Sequence, residues 1–324
     1  MKLKATILAS VASIALPLMA QAETLRFGHV GNPGSLFEAS VNAFAECANG
    51  KLGDRAEVQT FGSSQLGNDR ELLQKLKLGQ VDFSLPSSVM SSVAPEFGIF
   101  EMPYIVQDRE HMKRIQAEVG DVFQEAALSQ GYRIIGYFEN GFRHITNNIR
   151  AINTPEDLQG VKLRTPNGEW RVKMFQLYGA NPTPMAFSEV FTALQTKVID
   201  GQENPYAQIA SAKFQEVQEY LSITGHVYTP GYVLVAESRW QRLPEDVRAD
   251  LEACGTETQA FVYDHAAQLE TDLLQVIKDA GVAVNEADKQ AFIDASGPIY
   301  DEFSSTVEGG AELIEKIQSL ASGS

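Results

Sequence analysis

Beyond residue 22 the chain alternates short β-prone runs with amphipathic helical stretches. Thr24 to Val30 predicts a strand, Ser35 to Asn49 a helix stopped at Gly50, and Ala56 to Phe61 a strand of alternating polar and apolar residues. Asp69 opens a helix to Leu78 with Gly79 as its stop. Val81 to Leu85 is a third strand, and the helical pattern from Asp108 to Gln130 leads into a strand from Tyr132 to Phe138. This βαβα order predicts a mostly parallel α/β sheet.

A second block starts near Asn140. A strand over His144 to Asn147 runs into Thr154-Pro155, an N-cap followed by proline at the first helical position. Lys162 to Thr165 is a short strand, Gly168 to Tyr178 a helix, and Ser188 caps a helix to Thr196. Asp200 to Pro205 is a polar, glycine-punctuated turn. The β-prone run Gly231 to Glu237 is placed to return the chain to the first sheet, so the lobes are discontinuous in sequence. From Pro244 to Ala280 a helical pattern continues with only Gly255 as interruption, longer than the 8 to 20 residues usual in globular proteins. Such a helix must pack against both lobes or kink near Gly255. Helices around the turn Ser296-Gly297-Pro298 end the chain.

The chain has 324 residues, about twice the ~150 usual for one domain. The length and the pattern together predict two α/β lobes. Residues 23–140 and about 231–270 form lobe I, and 141–230 and about 271–324 form lobe II. Hydrophobic residues make up 44% and charged ones 21%, enough for a sizeable core. Lys2 and Lys4, the apolar run Ala5 to Pro17 and the small-x-small Ala20-Gln21-Ala22 describe an export signal over residues 1–22. A periplasmic protein, monomeric, is expected. Cys47 and Cys254 form either one disulfide or two buried thiols, and spacing alone does not choose between them.

The 26 Lys plus Arg against 42 Asp plus Glu give a formal charge of −16, a field that repels nucleic acid and anionic lipid. It also repels an anionic small molecule at long range, so an anion site here needs strong local positive charge. Serine-hydrolase, phosphate-loop, dinucleotide and metalloprotease motifs are missing from the sequence. The scattered histidines and the two cysteines suggest no metal, and no cofactor is expected. His29 stands out because it ends the first strand, where clefts of open α/β sheets form.

Arg143 and Arg164 each adjoin a short strand, and Arg164 directly precedes a Pro turn and a helix. Arginine keeps its charge and offers a planar fork that matches a carboxylate. It is a poor proton donor or acceptor, so a site centred on it favours holding an anion over turnover. Asn204, able to donate and accept, suits a carboxylate or a hydroxyl.

At these residues the chain resembles the extracytoplasmic solute receptors of TRAP transporters, importers of organic acids. The resemblance covers nearly all of the chain after residue 22. It is strongest in Gly160 to Asn167, Pro182 to Val190 and Ala193 to Pro205, with Ser64 to Arg70 resembling a first-lobe loop. It implies that Arg164 grips the ligand carboxylate, that Arg143 and Asn204 assist, that Asn167 and Phe187 line the pocket, and that Asp69 meets polar groups of the ligand. It also implies the α/β two-lobe periplasmic binding protein fold, with a hinge that closes on the ligand and a long helix packing against both lobes, and a membrane permease as partner. Ser87 and Met90 stand where sialic-acid receptors have a Glu and an Arg, and Val30 replaces a pocket Asn, which points to a smaller acid. Glu169 and Trp170 are further pocket candidates, and Arg70 or Arg171 is a candidate second cation for a C4-dicarboxylate. A hexuronate or aldonate is favoured over that dicarboxylate. A periplasmic enzyme using His29 or Asp69 as base is the competing class.

Overall fold

The structure is a computed structural model that describes residues 22–321, which leaves the expected export signal, except its last residue, outside the described residues. In chain order the strands are β1 (Glu23–Gly28), β2 (Ala56–Phe61), β3 (Phe83–Ser84), β4 (Tyr132–Phe142), β5 (His144–Asn147), β6 (Lys162–Thr165), β7 (Asn181–Pro184), β8 (Gly201–Asn204), β9 (Tyr220–Ile223), β10 (Tyr228–Ala236) and β11 (Ala283–Glu286). Among the described residues they make two sheets, ordered β2-β1-β3-β10-β4 and β11-β9-β5-β8-β6-β7. In the first, β1 runs parallel to β2 and β3, while β10 lies antiparallel between β3 and β4. Each sheet has its own core. Phe27, Phe44, Phe83 and Phe138 interlock in the first, with neighbouring ring centroids 5.6 to 6.5 Å apart.

Of the connections that carry the chain between the sheets, two lie side by side. Arg143 alone separates β4 from β5, and Thr224 to Val227 separate β9 from β10. They are bonded side by side, Arg143 N–H donating to Val227 C=O at 2.9 Å. A continuous ribbon therefore runs through both lobes, as the return of β10 to the first sheet anticipated. β4 is longer than its hydrophobic pattern suggests, because Glu139, Asn140 and Gly141 extend it toward the crossing.

The long helix is unbroken over Glu245–Asp279. Val247, Leu251, Val262 and Ala266 belong to the first core and Ile277 to the second. Of the two outcomes expected, it packs against both lobes. Gly255 causes no kink; a β-carbon there would lie 1.9 Å from the Ile135 carbonyl oxygen on β4, so glycine is what lets helix and strand touch. Next to it Cys254 is disulfide-bonded to Cys47 on the helix Leu36–Leu52, with Cα atoms 5.7 Å apart, which resolves the cysteine alternative in favour of the bridge.

Three expectations are corrected. Asp200 to Pro205 contains no open turn: Gly201–Asn204 is the buried strand β8, its polar side chains satisfied by one another and by neighbouring strands. Ser188 caps nothing but lies inside a 3-10 turn, Phe187–Glu189, that precedes the helix Val190–Gln195. The helices Gly297–Thr306 and Gly310–Ser319 pack on the first core through Ile299, Phe303, Leu313 and Ile317, so the segment assigned to lobe II re-crosses after Ala295.

Candidate functional site

The cleft between the lobes is closed over a narrow cavity with about 50 Å³ of room for the centres of water-sized molecules. The first lobe contributes Val30, Phe37, Asp69 and Ser87 to Val89, and the crossing ribbon contributes Asn140 and Arg143. The second contributes Arg164, Pro166, Asn167, Met185 to Phe187, Asn204 and Gln208. Six residues singled out in the sequence, Asp69, Arg143, Arg164, Asn167, Phe187 and Asn204, thus meet here from segments far apart in the chain. β6 and β8 run in parallel with Arg164 opposite Gln202, which puts Arg164 and Asn204 at neighbouring strand ends.

The other candidates, Arg171 among them, lie outside the cavity. His29 is buried behind it, 2% exposed, with Nδ1 unpartnered and its pKa lowered to about 4 by burial. Arg70 and Glu169 line a separate, open depression on the surface. Trp170 is sealed in the core against Phe303, ring centroids 5.1 Å apart.

The three buried arginines near the cleft differ in their partners. Arg143 donates from Nε and Nη2 to the two carboxylate oxygens of Glu203, at 2.5 and 2.9 Å. Arg171 reaches Glu203 Oε2 and Glu101 Oε2, each at 2.6 Å. The Glu101 contact joins the lobes, since Glu101 ends the first-lobe turn Pro95–Glu101 and Arg171 lies on the second-lobe helix Glu169–Leu177. Arg164 makes no ion pair with any described carboxylate. Its Nε and Nη2 both donate to the Met185 carbonyl, at 3.1 and 2.7 Å. Burial, reinforced by Arg143, lowers its pKa to about 9, so it is cationic at neutral pH but poorly compensated.

Burial opposes ionisation of Glu203, yet Arg143, Arg171 and the His226 hydrogen bond outweigh it and hold the carboxyl far below its usual range. Burial keeps His226 neutral, with a pKa of about 4; its Nε2 lies 3.1 Å from Glu203 and its Nδ1 2.7 Å from Thr224 Oγ1. Burial raises the Asp69 carboxyl to about 6 against the pull of Arg164. Glu203, Gln202, Gln208 and Ser88 were not singled out in the sequence. No hydrophobicity pattern marks Glu203 and Gln202, because every residue from Gly201 to Asn204 is polar or glycine and all four are buried.

Two lobes closing on a buried, anion-deficient guanidinium define a binding receptor. The chain matches the family model "Bacterial extracellular solute-binding protein, family 7" over residues 27–306, and it belongs to that family. It is 30% identical over 303 residues, 92% of each chain, to the 2,3-diketo-L-gulonate-binding periplasmic protein of Escherichia coli (strain K12). Its fold is similar to that of the sugar acid binding protein of Advenella mimigardefordensis in complex with galactonate, with TM-score 0.88, 31% identity, and 93% of this chain and 98% of that one covered. It is also similar to a TRAP periplasmic solute binding protein of Sulfurospirillum deleyianum with bound succinate, with TM-score 0.87, 31% identity, and 92% and 99% covered. The chain is accordingly a TRAP-type solute-binding receptor of an extracellular or periplasmic family, which bears out the receptor reading over the enzyme one.

Proposed function

We propose that this receptor, exported by residues 1–22, captures a sugar acid in the periplasm and delivers it to the membrane subunits of a TRAP permease. The observation that carries the reading is Arg164: a buried fork inside the cleft, bonded only to a backbone carbonyl, beside two arginines already matched by glutamates. A ligand carboxylate would supply the missing charge, and in the closed cleft a charge-assisted pair is stronger than at a surface. Short-range pairing of this kind can offset the repulsion of the acidic chain.

The surroundings favour one carboxylate and several hydroxyls. Asp69, Ser87, Ser88, Asn140, Asn167 and Gln208 offer polar partners, and Phe37 and Phe187 offer apolar faces. A C4-dicarboxylate needs a second cation, but Arg70 faces the outside depression and Arg171 is held between Glu101 and Glu203. Thermal melts of ligand-free protein with galactonate, erythronate, glucuronate and succinate test the assignment. A bound acid raises the melting temperature, by about 2.7 kcal/mol of stabilisation at 100 times Kd. The reading is lost if no organic acid raises it.

A further inference from the structure

The crossing ribbon has a second face. Arg143 looks into the cleft, whereas its neighbours Phe142 and His144 turn to the opposite side and line a separate depression. Both lobes wall it, the first through Val106 and Phe142 and the second through His144, Tyr206 and Ile293. Glu270 adds a wall from the long helix, in the stretch between the two cores. The depression has about 510 Å³ of room for the centres of water-sized molecules, against about 50 Å³ in the closed cleft. A rotation that shuts the lobes over Arg143 parts what stands behind the ribbon, so this space is widest when the cleft is closed.

The depression carries donors that the protein does not use. His144 is 6% exposed and lies flat on Tyr206, with ring centroids 4.4 Å apart. Its Nδ1 accepts the Gly225 N–H at 3.1 Å, and burial lowers its pKa to about 3, so the ring is neutral and its one proton sits on Nε2. That N–H has no partner among the described residues and is left to the depression. Lys289 stands beside it: a β-carbon on Gly225 would lie 3.8 Å from Lys289 Nζ and 3.9 Å from His144 Cε1. Lys289 makes no ion pair with any described carboxylate. Glu270, the one carboxylate lining the depression among the described residues, is already held by Arg109 at 3.0 Å.

A cation and an N–H donor at one end, with Tyr104, Phe142, Tyr206 and Ile293 over much of the rest, suit a carboxylate carried on a flat ring. These walls offer few partners for the many hydroxyls of a sugar acid. We propose that the depression is a second site, for a small aromatic carboxylate, and that its occupancy holds the lobes closed and tightens binding in the cleft. A molecule lodged between both lobes behind the ribbon favours the closed form over the open one, and the coupling is reciprocal. The coupling rests on the proposed sugar-acid site; the second site itself does not.

Calorimetric titration with benzoate and phenylacetate, with and without saturating D-galactonate, tests it. At least one of the two is expected to bind the galactonate-loaded protein about fivefold or more tightly than the free protein, and galactonate is expected to tighten by the same factor when that acid is in excess. Lys289→Glu changes an exposed residue at a helix start, where an acidic side chain is tolerated. It is expected to weaken the aromatic acid by about tenfold or more and to leave galactonate alone within about twofold. Ile293→Trp, also at an exposed position, fills the depression and is expected to block the aromatic acid. Binding of both aromatic acids weaker than about 1 mM, competition of either with galactonate, or affinity that survives both substitutions overturns the second site. Equal affinity for the aromatic acid in loaded and free protein overturns the coupling. If galactonate itself does not bind, the sugar-acid reading is at fault, and aromatic-acid binding that Lys289→Glu removes still supports the second site.

Discussion

Arg143 is clasped by Glu203 in a fork in which one carboxylate faces Nε and Nη2 together, the two side chains being 2% and 0% exposed. Glu203 also serves Arg171 and His226, so one buried charge holds together the ribbon between the lobes and the helix that borders the cleft. Glu203→Gln leaves two guanidinium groups without their shared counter-ion. The expected loss is about 3 to 5 kcal/mol, the scale for breaking a buried ion pair from one side. Urea unfolding at pH 7 measures it, and a loss under about 1 kcal/mol would mean that the arginines find other partners.

Arg164→Lys keeps the charge and removes the fork. Binding of the acid is expected to weaken by about 1.5 to 3 kcal/mol, the value of a charge-assisted hydrogen bond, with little change in the melting temperature of the free protein. Titration calorimetry reads this directly. Unchanged affinity would show that the ligand carboxylate is held elsewhere.

The free protein is expected to lose stability as the pH falls below about 6.5, because burial lowers His29 and His226 to about 4 and His144 to about 3. Between those values and the ordinary 6.5 the unfolded chain takes up protons that the folded one refuses, so acid favours unfolding, by up to about 1.4 kcal/mol per pH unit for each group. Asp69 acts in the opposite sense: its folded pKa is raised to about 6 from 3.8, so its contribution is fully present at low pH and is lost as the pH rises through 6. The three histidines outweigh it. Melts from pH 7.5 to 4.5 check the balance; a flat or rising melting temperature on acidification would contradict it.

Replacing both Cys47 and Cys254 by serine removes a link between residues 207 apart in sequence. The expected loss is about 2 to 5 kcal/mol, through the greater freedom of the unfolded chain. Parallel denaturation of the double variant and the oxidised parent measures it, and equal midpoints would show that the contacts between the two helices suffice without the bond.

Regular alternation made much of the framework legible: β2, β5 and β6 lie where the pattern puts their residues, and Ser35, Asp108 and the Asn68 capping box begin helices by local chemistry. β8 escaped because Gln202, Glu203 and Asn204 are buried through mutual hydrogen bonding, which hydrophobicity does not record. The same gap affects the site. Arg164 could be chosen from its neighbours in sequence, but that it lacks a carboxylate while Arg143 has one depends on side chains brought together only by folding. Trp170 looked like a pocket residue for its proximity to Arg164 and Asn167, yet the helix Glu169–Leu177 turns it into the core.

Cys254 and Gly255 are consecutive, one tied to the helix Leu36–Leu52 and the other seated on β4, which adds a covalent bond and a backbone contact to the packing of the long helix on the first lobe through Val247, Leu251, Val262 and Ala266. At about 1.5 Å per residue, only roughly 16 Å of helix separates Ala266, still in the first core, from Ile277, rooted in the second lobe. Any parting of the lobes is therefore taken up along that short stretch of helix, beyond the joint at Gly255, and its length bounds how far the two lobes can swing without unseating one end of the helix.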